Sequence, residues 1–147
     1  MPWTRVVVAV LLVGAFALPA AAPASASPPM VRKINQARRA HGVRPLRYSH
    51  SLGHSSARFA HHLMAIDYFG HASRIHASRR FSALGECLAR QSGWRLRRSR
   101  VVRGWMGSPV HRMILLSRRF NRVGAAPARG IFRGRRATIW VVQVGRR

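Results

Sequence analysis

The chain contains only two acidic side chains, Asp67 and Glu86, against 27 lysine and arginine residues. A carboxylate retained in so basic a chain is a candidate for chemistry that needs its charge, such as holding a divalent metal together with histidines. His71 lies between the two acids, and Gly85 directly precedes Glu86. Simpler interpretations are that Asp67 caps or terminates a helix and that Glu86 pairs with one nearby arginine. We expect the structural role for Asp67 and a functional site at Glu86.

Covalent catalysis has weaker support in the sequence. The single cysteine, Cys87, follows Glu86, and neighbours in an extended segment face opposite ways, so its thiol has no adjacent base. Since it cannot form an intramolecular disulfide and apolar residues follow it, we expect a buried thiol. Ser108 could pair with His111, but Ser108 is also explained as the cap of a helix that starts at Pro109.

The elements that would position these residues begin with two helices. Apolar residues at helical spacing predict a first helix from Met30 to His41 that ends at Gly42, with Arg38 among its outward-facing residues. A second helix is predicted from Ser51 to about Ile66, with Ser49 or Ser51 as its cap. Three histidines lie outside the apolar face of this helix and are interpreted as solvent-exposed: His54, His61 and His62.

The remaining segments predict short helices followed by strands. Periodicity does not decide whether Glu86–Ala89 is a short strand or a turn, whereas Val101–Met106 predicts a short amphipathic helix. Ala137–Val144 is rich in β-branched and aromatic residues, and with a turn at Gly134 it predicts a terminal hairpin. Helices first and strands last indicate an α+β fold with helices packed on an antiparallel sheet.

The first 26 residues have the pattern of a secretory signal peptide. A short positive start precedes the apolar run Val6–Leu18, and Ala24-Ser25-Ala26 matches a cleavage site. The run is too short to cross a bilayer, and no later segment is apolar enough to do so. We therefore expect residues 1–26 to be removed and residues 27–147 to form one exported domain, soluble or associated with the cell wall.

The charge of the chain indicates its partners. The formal net charge is +25, and the 26 basic and 2 acidic residues that remain without Arg5 give +24. Such a surface should bind polyanions in a salt-dependent way. Zinc-finger spacing, an RNP-like strand and a continuous basic helix are all missing, so we expect no specific nucleic-acid binding and favour anionic components of the cell envelope. A coding bias toward arginine remains an alternative origin of the charge.

An ordered set of segments resembles the bacterial secreted branch of the CAP superfamily, which includes cysteine-rich secretory, antigen 5 and pathogenesis-related proteins. The segments that carry the resemblance are Ile34-Asn35-Gln36-Ala37-Arg38-Arg39, Tyr68-Phe69-Gly70-His71, Gly85-Glu86-Cys87-Leu88-Ala89 and Trp105-Met106-Gly107-Ser108-Pro109-Val110-His111-Arg112. The resemblance covers residues 30–145. It implies a three-layer α-β-α sandwich with a central antiparallel sheet and a cleft lined by histidines and acids.

Transferred residue by residue, the resemblance implies that the cleft contains His71, Glu86 and His111. The family's second acidic residue has no clear counterpart, since Asp67 is the only other acid, and Cys87 stands where the family usually has asparagine. Two imidazoles and one carboxylate with an open fourth position could hold a divalent metal such as zinc and activate water. Equally, Glu86 could be hydrogen-bonded to both imidazoles in a polar cleft without metal.

Three functions remain open at this point. The first is a secreted binding module for lipid-like or anionic envelope ligands, acting through the His/Glu cleft. The second is a divalent-metal-dependent hydrolase that uses His71, Glu86 and His111. The third is a cationic factor that binds membranes or polyanions. Whether the protein is an enzyme stays undecided from the sequence.

Overall fold

The structure is a computed structural model that describes residues 27–147, so the predicted signal peptide, residues 1–26, lies outside the described residues. The elements in chain order are α1 (Pro29–Ala40), β1 (Arg47–Tyr48), α2 (His50–Ala65), β2 (Ala83–Ser92), α3 (Arg98–Gly107), α4 (Pro109–Leu116), β3 (Arg122–Phe132) and β4 (Arg135–Arg146). The sheet has the order β1-β3-β4-β2. β4 pairs antiparallel with both β2 and β3, whereas the two-residue β1 pairs parallel with β3.

Two hydrophobic cores lie on opposite faces of this sheet. Trp140, Val142 and Val144 of β4 pack with α1, α3 and α4 on one face. The alternate residues Ile139 and Val141 pack with α2 on the other face. A central strand is buried on both faces, which explains why β4 reads as a continuous apolar run rather than as alternation. The predicted α+β fold is confirmed, and within residues 27–147 the only parallel pairing involves the short β1.

The local predictions agree with the structure to within a few residues. Ser49 is the N-cap of α2, and its hydroxyl accepts a hydrogen bond from the backbone N–H of Leu52 at 3.4 Å. The segment around Glu86 is a strand of ten residues. Its alignment along all of one side of β4 settles the alternative that periodicity left open, because pairing with a distant strand supplies information that four residues do not contain.

Arg38 departs from the sequence prediction. It was expected on the outer side of the first helix, yet it is only 2% exposed. It lies four residues after Ile34, so it occupies the same buried face of α1. Its guanidinium donates hydrogen bonds to the carbonyl oxygens of Arg44 (2.8 Å), Leu115 and Ser117 (3.1 Å). The carbonyls at the C-terminal end of α4 accept hydrogen bonds from this buried cation, and the negative end of the helix dipole there stabilises its charge.

Asp67 connects α2 with the hairpin turn. It follows the C-cap of α2 with a φ of +52°, and its carboxylate accepts a hydrogen bond from the backbone N–H of Arg133 at 2.8 Å. Arg133 is in the turn between β3 and β4, so the expected structural role of Asp67 agrees with its place in the fold. Within residues 27–147, no helix is long and apolar enough to cross a membrane.

Candidate functional site

Glu86 lies on the edge strand β2, on the same face of the sheet as α2, where it pairs across the strands with Gln143. Its side chain is only 6% exposed. Its carboxylate is within hydrogen-bond distance of His71 Nδ1 (3.1 Å) and accepts hydrogen bonds from the backbone N–H of Ala72 (3.1 Å) and from Gln143 Nε2 (2.9 Å). These three contacts compensate the burial of a charge that would otherwise be costly.

His71 lies in the connection between α2 and β2, and its side chain is 60% exposed. An ionised carboxylate only accepts hydrogen bonds, so the Nδ1–H of His71 donates to Glu86. This contact fixes the orientation of the ring and leaves Nε2 as its second polar atom. The pair is therefore a buried acceptor that holds an accessible imidazole in one position.

His111 lies in the first turn of α4, as predicted, but it makes no hydrogen bond with His71 or Glu86. Its Nδ1 is 2.8 Å from the hydroxyl of Ser108. Ser108 occupies the predicted N-cap position, yet its side chain makes no capping hydrogen bond, because the hydroxyl contacts the imidazole instead. Burial lowers the pKa of His111, and the charge of His71 lowers this pKa further.

The structure thus joins two members of the predicted trio, His71 and Glu86, and places His111 within electrostatic range of His71. Within residues 27–147, no group of three His, Cys, Asp or Glu side chains could hold a metal ion. Both oxygens of Glu86 already accept hydrogen bonds. In this arrangement the trio does not fit the three-ligand zinc centre, and metal binding stays an untested prediction.

A cavity of about 620 Å³ lies between α2 and the loop that carries His71. One part of its lining is apolar and comes mainly from α2, through Phe59, Leu63 and Ile66. The other part is polar and cationic, and its members include Arg58, His62, Arg74, His76 and Gln143. We call this space the α2 cavity. Its volume falls in the range of small-molecule binding sites, about 300–1,000 Å³.

Sequence reasoning missed several residues of the α2 cavity. His62 is exposed, as predicted, but it also lines the α2 cavity and stacks against Phe59 with ring centroids 6.4 Å apart. The spacing of three between these two residues was the available signal, since such pairs share a helix face. Gln143 had no local signal, because only strand register places its amide beside Glu86.

His111 belongs to a separate cavity of about 710 Å³, which it lines together with Trp105 of α3 and part of the edge strand β2. The indole of Trp105 donates a hydrogen bond to the carbonyl of Leu88. Tyr68 and Phe69 are consecutive, yet Tyr68 lines the α2 cavity and Phe69 the second one. His71 therefore lines the α2 cavity, and His111 lines the second cavity.

Comparison with protein families identifies one match. The model of the CAP family, described as the cysteine-rich secretory protein family, matches residues 31–144. That span includes all three candidate site residues. A comparison with curated proteins finds no match.

Solved structures share the fold at low sequence identity. An outer surface protein from Borrelia burgdorferi superposes with a TM-score of 0.64 at 22% identity, over 80% of this chain and 90% of that one. An extracellular protein with an SCP domain from Bacillus anthracis gives 0.60 at 19% identity, over 80% of this chain and 39% of that one. A cysteine-rich secretory protein from Staphylococcus aureus gives 0.54 at 13% identity, over 80% and 37%. This chain thus spans well under half of the latter two proteins.

Proposed function

The chain belongs to the CAP, or cysteine-rich secretory protein, family, and on that premise we propose that it is an exported binding protein for a lipid-like ligand with an anionic head group. The ligand would occupy the α2 cavity beside His71 and Glu86. Export is supported by the predicted signal peptide and by the extracellular and surface proteins that share the fold.

The observation that carries the proposal is the lining of the α2 cavity, which combines apolar and cationic side chains. Ile66 and Tyr68 line it and are 51% and 54% exposed, so large apolar surface faces water at its wall. Covering an apolar side chain of this size contributes about 1.5–3 kcal/mol. An alkyl or isoprenoid chain against this wall would bring that contribution to binding.

The cationic residues of the lining favour an anionic head group. Arg58 and Arg74 line the cavity, and neither acid of the chain does. Guanidinium groups pair with carboxylates and phosphates in planar, doubly hydrogen-bonded geometry. His71, held by Glu86, adds a fixed polar atom to the same lining. Arg58 already donates to the carbonyl of His76, so the exposed Arg74 is the cation best able to pair with a charged head group.

Gln143 adds a polar position to the lining. Its amide N–H donates to Glu86, and its Oε1 is the only buried side-chain polar atom without a hydrogen-bond partner among the residues that the structure describes. Leaving such an acceptor unpaired costs about 1–3 kcal/mol. A ligand hydroxyl that donated to this oxygen would recover the cost, which supports a binding role for this part of the fold.

The test is titration calorimetry of the mature protein with oleate and with oleyl alcohol. The two ligands have the same hydrocarbon chain and differ in the charge of the head group. We expect oleate to bind more tightly. Ile66→Ser should weaken oleate binding by about tenfold, because it removes roughly 1.4 kcal/mol or more of apolar burial. Arg74→Gln should weaken oleate several-fold and leave oleyl alcohol unchanged.

Two control variants match these changes. Ile131→Ser alters an isoleucine of similar exposure, 55%, that lies outside the cavity. Arg80→Gln removes an exposed arginine from the same loop as Arg74 without touching the lining. Both controls should bind oleate like the wild type. The proposal is wrong if oleate gives no binding heat, or if each control weakens binding as much as its cavity counterpart.

A further inference from the structure

A groove of about 910 Å³ lies between α1 and the segment that leads into α3. Seven cationic side chains line it: Arg32, Lys33 and Arg39 from α1, and the four arginines of residues 95–100. We call it the α1–α3 groove. It shares no lining residue with the α2 cavity, and α1 and α3 pack on the opposite face of the sheet from α2.

The positive charge of this groove has no counter-charge within the protein. The chain has two acids, and neither lines the groove. Asp67 contacts the hairpin turn at Arg133, and Glu86 is engaged with His71 on the α2 side. Like charges held on both walls of one concavity repel each other and focus a positive potential there. An anion that entered the groove would relieve this repulsion.

The side chains of the groove are free to turn toward such an anion. Six of the seven are exposed, and the exception, Arg98, is half-buried with its guanidinium 5.9 Å from the ring centre of Trp140. Their side-chain hydrogen bonds are local: Arg32 donates to the carbonyl of Ser27, and Lys33 donates to Gln36. Apart from the contact of Arg98 with Trp140, none of these seven side chains has a hydrogen bond or ring contact to another helix or strand within residues 27–147.

Phosphate groups suit these side chains. Arginine forks pair with phosphate oxygens through two parallel hydrogen bonds, and six of the seven cations are arginines. The first turn of α3, at Arg98–Arg100, opens into the same groove, and its N-cap residue Arg97 makes no side-chain capping hydrogen bond. Backbone N–H groups at a helix N-terminus favour negative charge and add to the attraction of the arginines.

The shape and lining favour a polymer over a membrane. Proteins that lie on bilayers insert apolar side chains beside their basic residues. Only Pro29 and Leu96 are apolar in the groove, and none of the large exposed apolar side chains of residues 27–147 lines it. A concave strip with cations on both walls instead accommodates a chain that carries a charge at each repeat. We propose that the α1–α3 groove binds a linear, phosphate-rich polymer as a second site, independent of the lipid site.

The experiment measures binding of linear inorganic polyphosphate of one defined chain length to the mature protein over a series of salt concentrations. The groove variant is Lys33→Gln/Arg39→Gln/Arg95→Gln, which takes charge from both walls. The control variant is Arg112→Gln/Arg129→Gln/Arg135→Gln, which removes the same charge from exposed arginines outside the groove. Circular dichroism checks that both variants fold.

We expect the groove variant to bind about tenfold more weakly or worse at fixed salt, and its affinity to fall less steeply as salt rises, because fewer counterions are released. The control variant should stay within about twofold of the wild type, since distant charges are screened beyond a Debye length of about 8 Å in physiological salt. Oleate binding should be unchanged in both variants, which separates this site from the α2 cavity.

Two results would overturn the proposal. Equal weakening in the two variants would show that polyphosphate binding depends on the total surface charge and not on the groove. Tighter, groove-dependent binding to vesicles of anionic phospholipid than to polyphosphate would show that the partner is a membrane surface. A wild-type protein that fails to bind polyphosphate at low salt would also exclude the groove as a phosphate site.

Discussion

Glu86 and Cys87 are adjacent in β2 and face opposite sides of the sheet. Glu86 faces the α2 side, whereas Cys87 is completely buried in the core beneath α1, α3 and α4. Burial, and second the charge of Glu86, raise the pKa of the Cys87 thiol from its usual 9.0 to about 12. The thiolate is the reactive form of cysteine, so the folded protein should hold this residue inert.

The prediction is that a thiol reagent such as DTNB leaves Cys87 unmodified in the native protein at neutral pH and labels it fully in guanidinium chloride. The same shift in pKa has a consequence for stability. Below pH 9.0 the thiol is protonated in both states, so it contributes no pH dependence. Above that pH only the unfolded thiol ionises, and the free energy of unfolding should fall as pH rises toward about 12.

Native labelling at the rate of a free thiol would contradict this prediction. The variant Cys87→Ala is the control, because it removes the labelled atom and should show no modification in either state. Unfolding of this variant at alkaline pH should lack the part of the stability loss that belongs to the thiol.

Sequence reasoning at the residue scale identified a buried cysteine and the contact partners His71 and Glu86, because each stood in a short motif. It did not find Gln143, which reaches Glu86 only through strand register. It also placed Arg38 outside, although spacing from Ile34 put that position on the buried face. Arginine is usually exposed, which suggested exposure at this position. Two of the three carbonyls that accept hydrogen bonds from the guanidinium come from 77 and 79 residues away.

At the scale of elements, α2 lies unusually close to β3. A Cβ added to Gly124 of β3 would lie 2.1 Å from the carbonyl carbon of Leu52 and 2.2 Å from the nitrogen of Gly53. These are backbone atoms of α2, which cannot rotate away. The hydroxyl of Ser56 also donates to the carbonyl of Gly124 at 3.3 Å, so helix and strand are in direct contact.

We therefore predict that Gly124→Ala destabilises the protein by about 2–3 kcal/mol or more, because the helix must move off the sheet. The matched control is Gly104→Ala in α3, where an added Cβ meets nothing within 4 Å. There alanine should stabilise the helix by about 0.5–1 kcal/mol. Urea unfolding curves measure both changes, and a Gly124→Ala protein as stable as the wild type would refute the close approach.

The elements themselves were largely predictable, because α1, α2 and the terminal hairpin each carry a periodicity or turn signal in their own residues. The two-residue β1 was not, since its pairing with β3 depends on residues about 75 positions further along the chain. The assignment of Tyr68 to one cavity and Phe69 to the other was equally absent from the sequence, because no local pattern specifies where these side chains point after α2 ends.

At the scale of the whole molecule, repulsion among like charges opposes the compact state. The two acids compensate only a small part of the positive charge, so screening should stabilise the fold. We predict that the melting temperature rises by several degrees as sodium chloride increases from about 0.01 M to about 0.15 M, where the Debye length shortens from about 30 to about 8 Å.

The groove variant Lys33→Gln/Arg39→Gln/Arg95→Gln offers a direct comparison for this effect. It removes like charges that line one groove, so it should melt at a higher temperature than the wild type in low salt and respond less to added salt. A melting temperature of the wild type that is flat or falls over this salt range would show that repulsion does not limit stability.

The position of β4 in the sheet also bears on when the protein can fold. β4 is the shared centre of both layers, yet it follows every other helix and strand of residues 27–147 in the chain. As the polypeptide is synthesised, the helices are made first, but the central strand against which they pack is missing until Arg135–Arg146 has been made. We therefore expect the fold of residues 27–147 to form only after β4 has been synthesised.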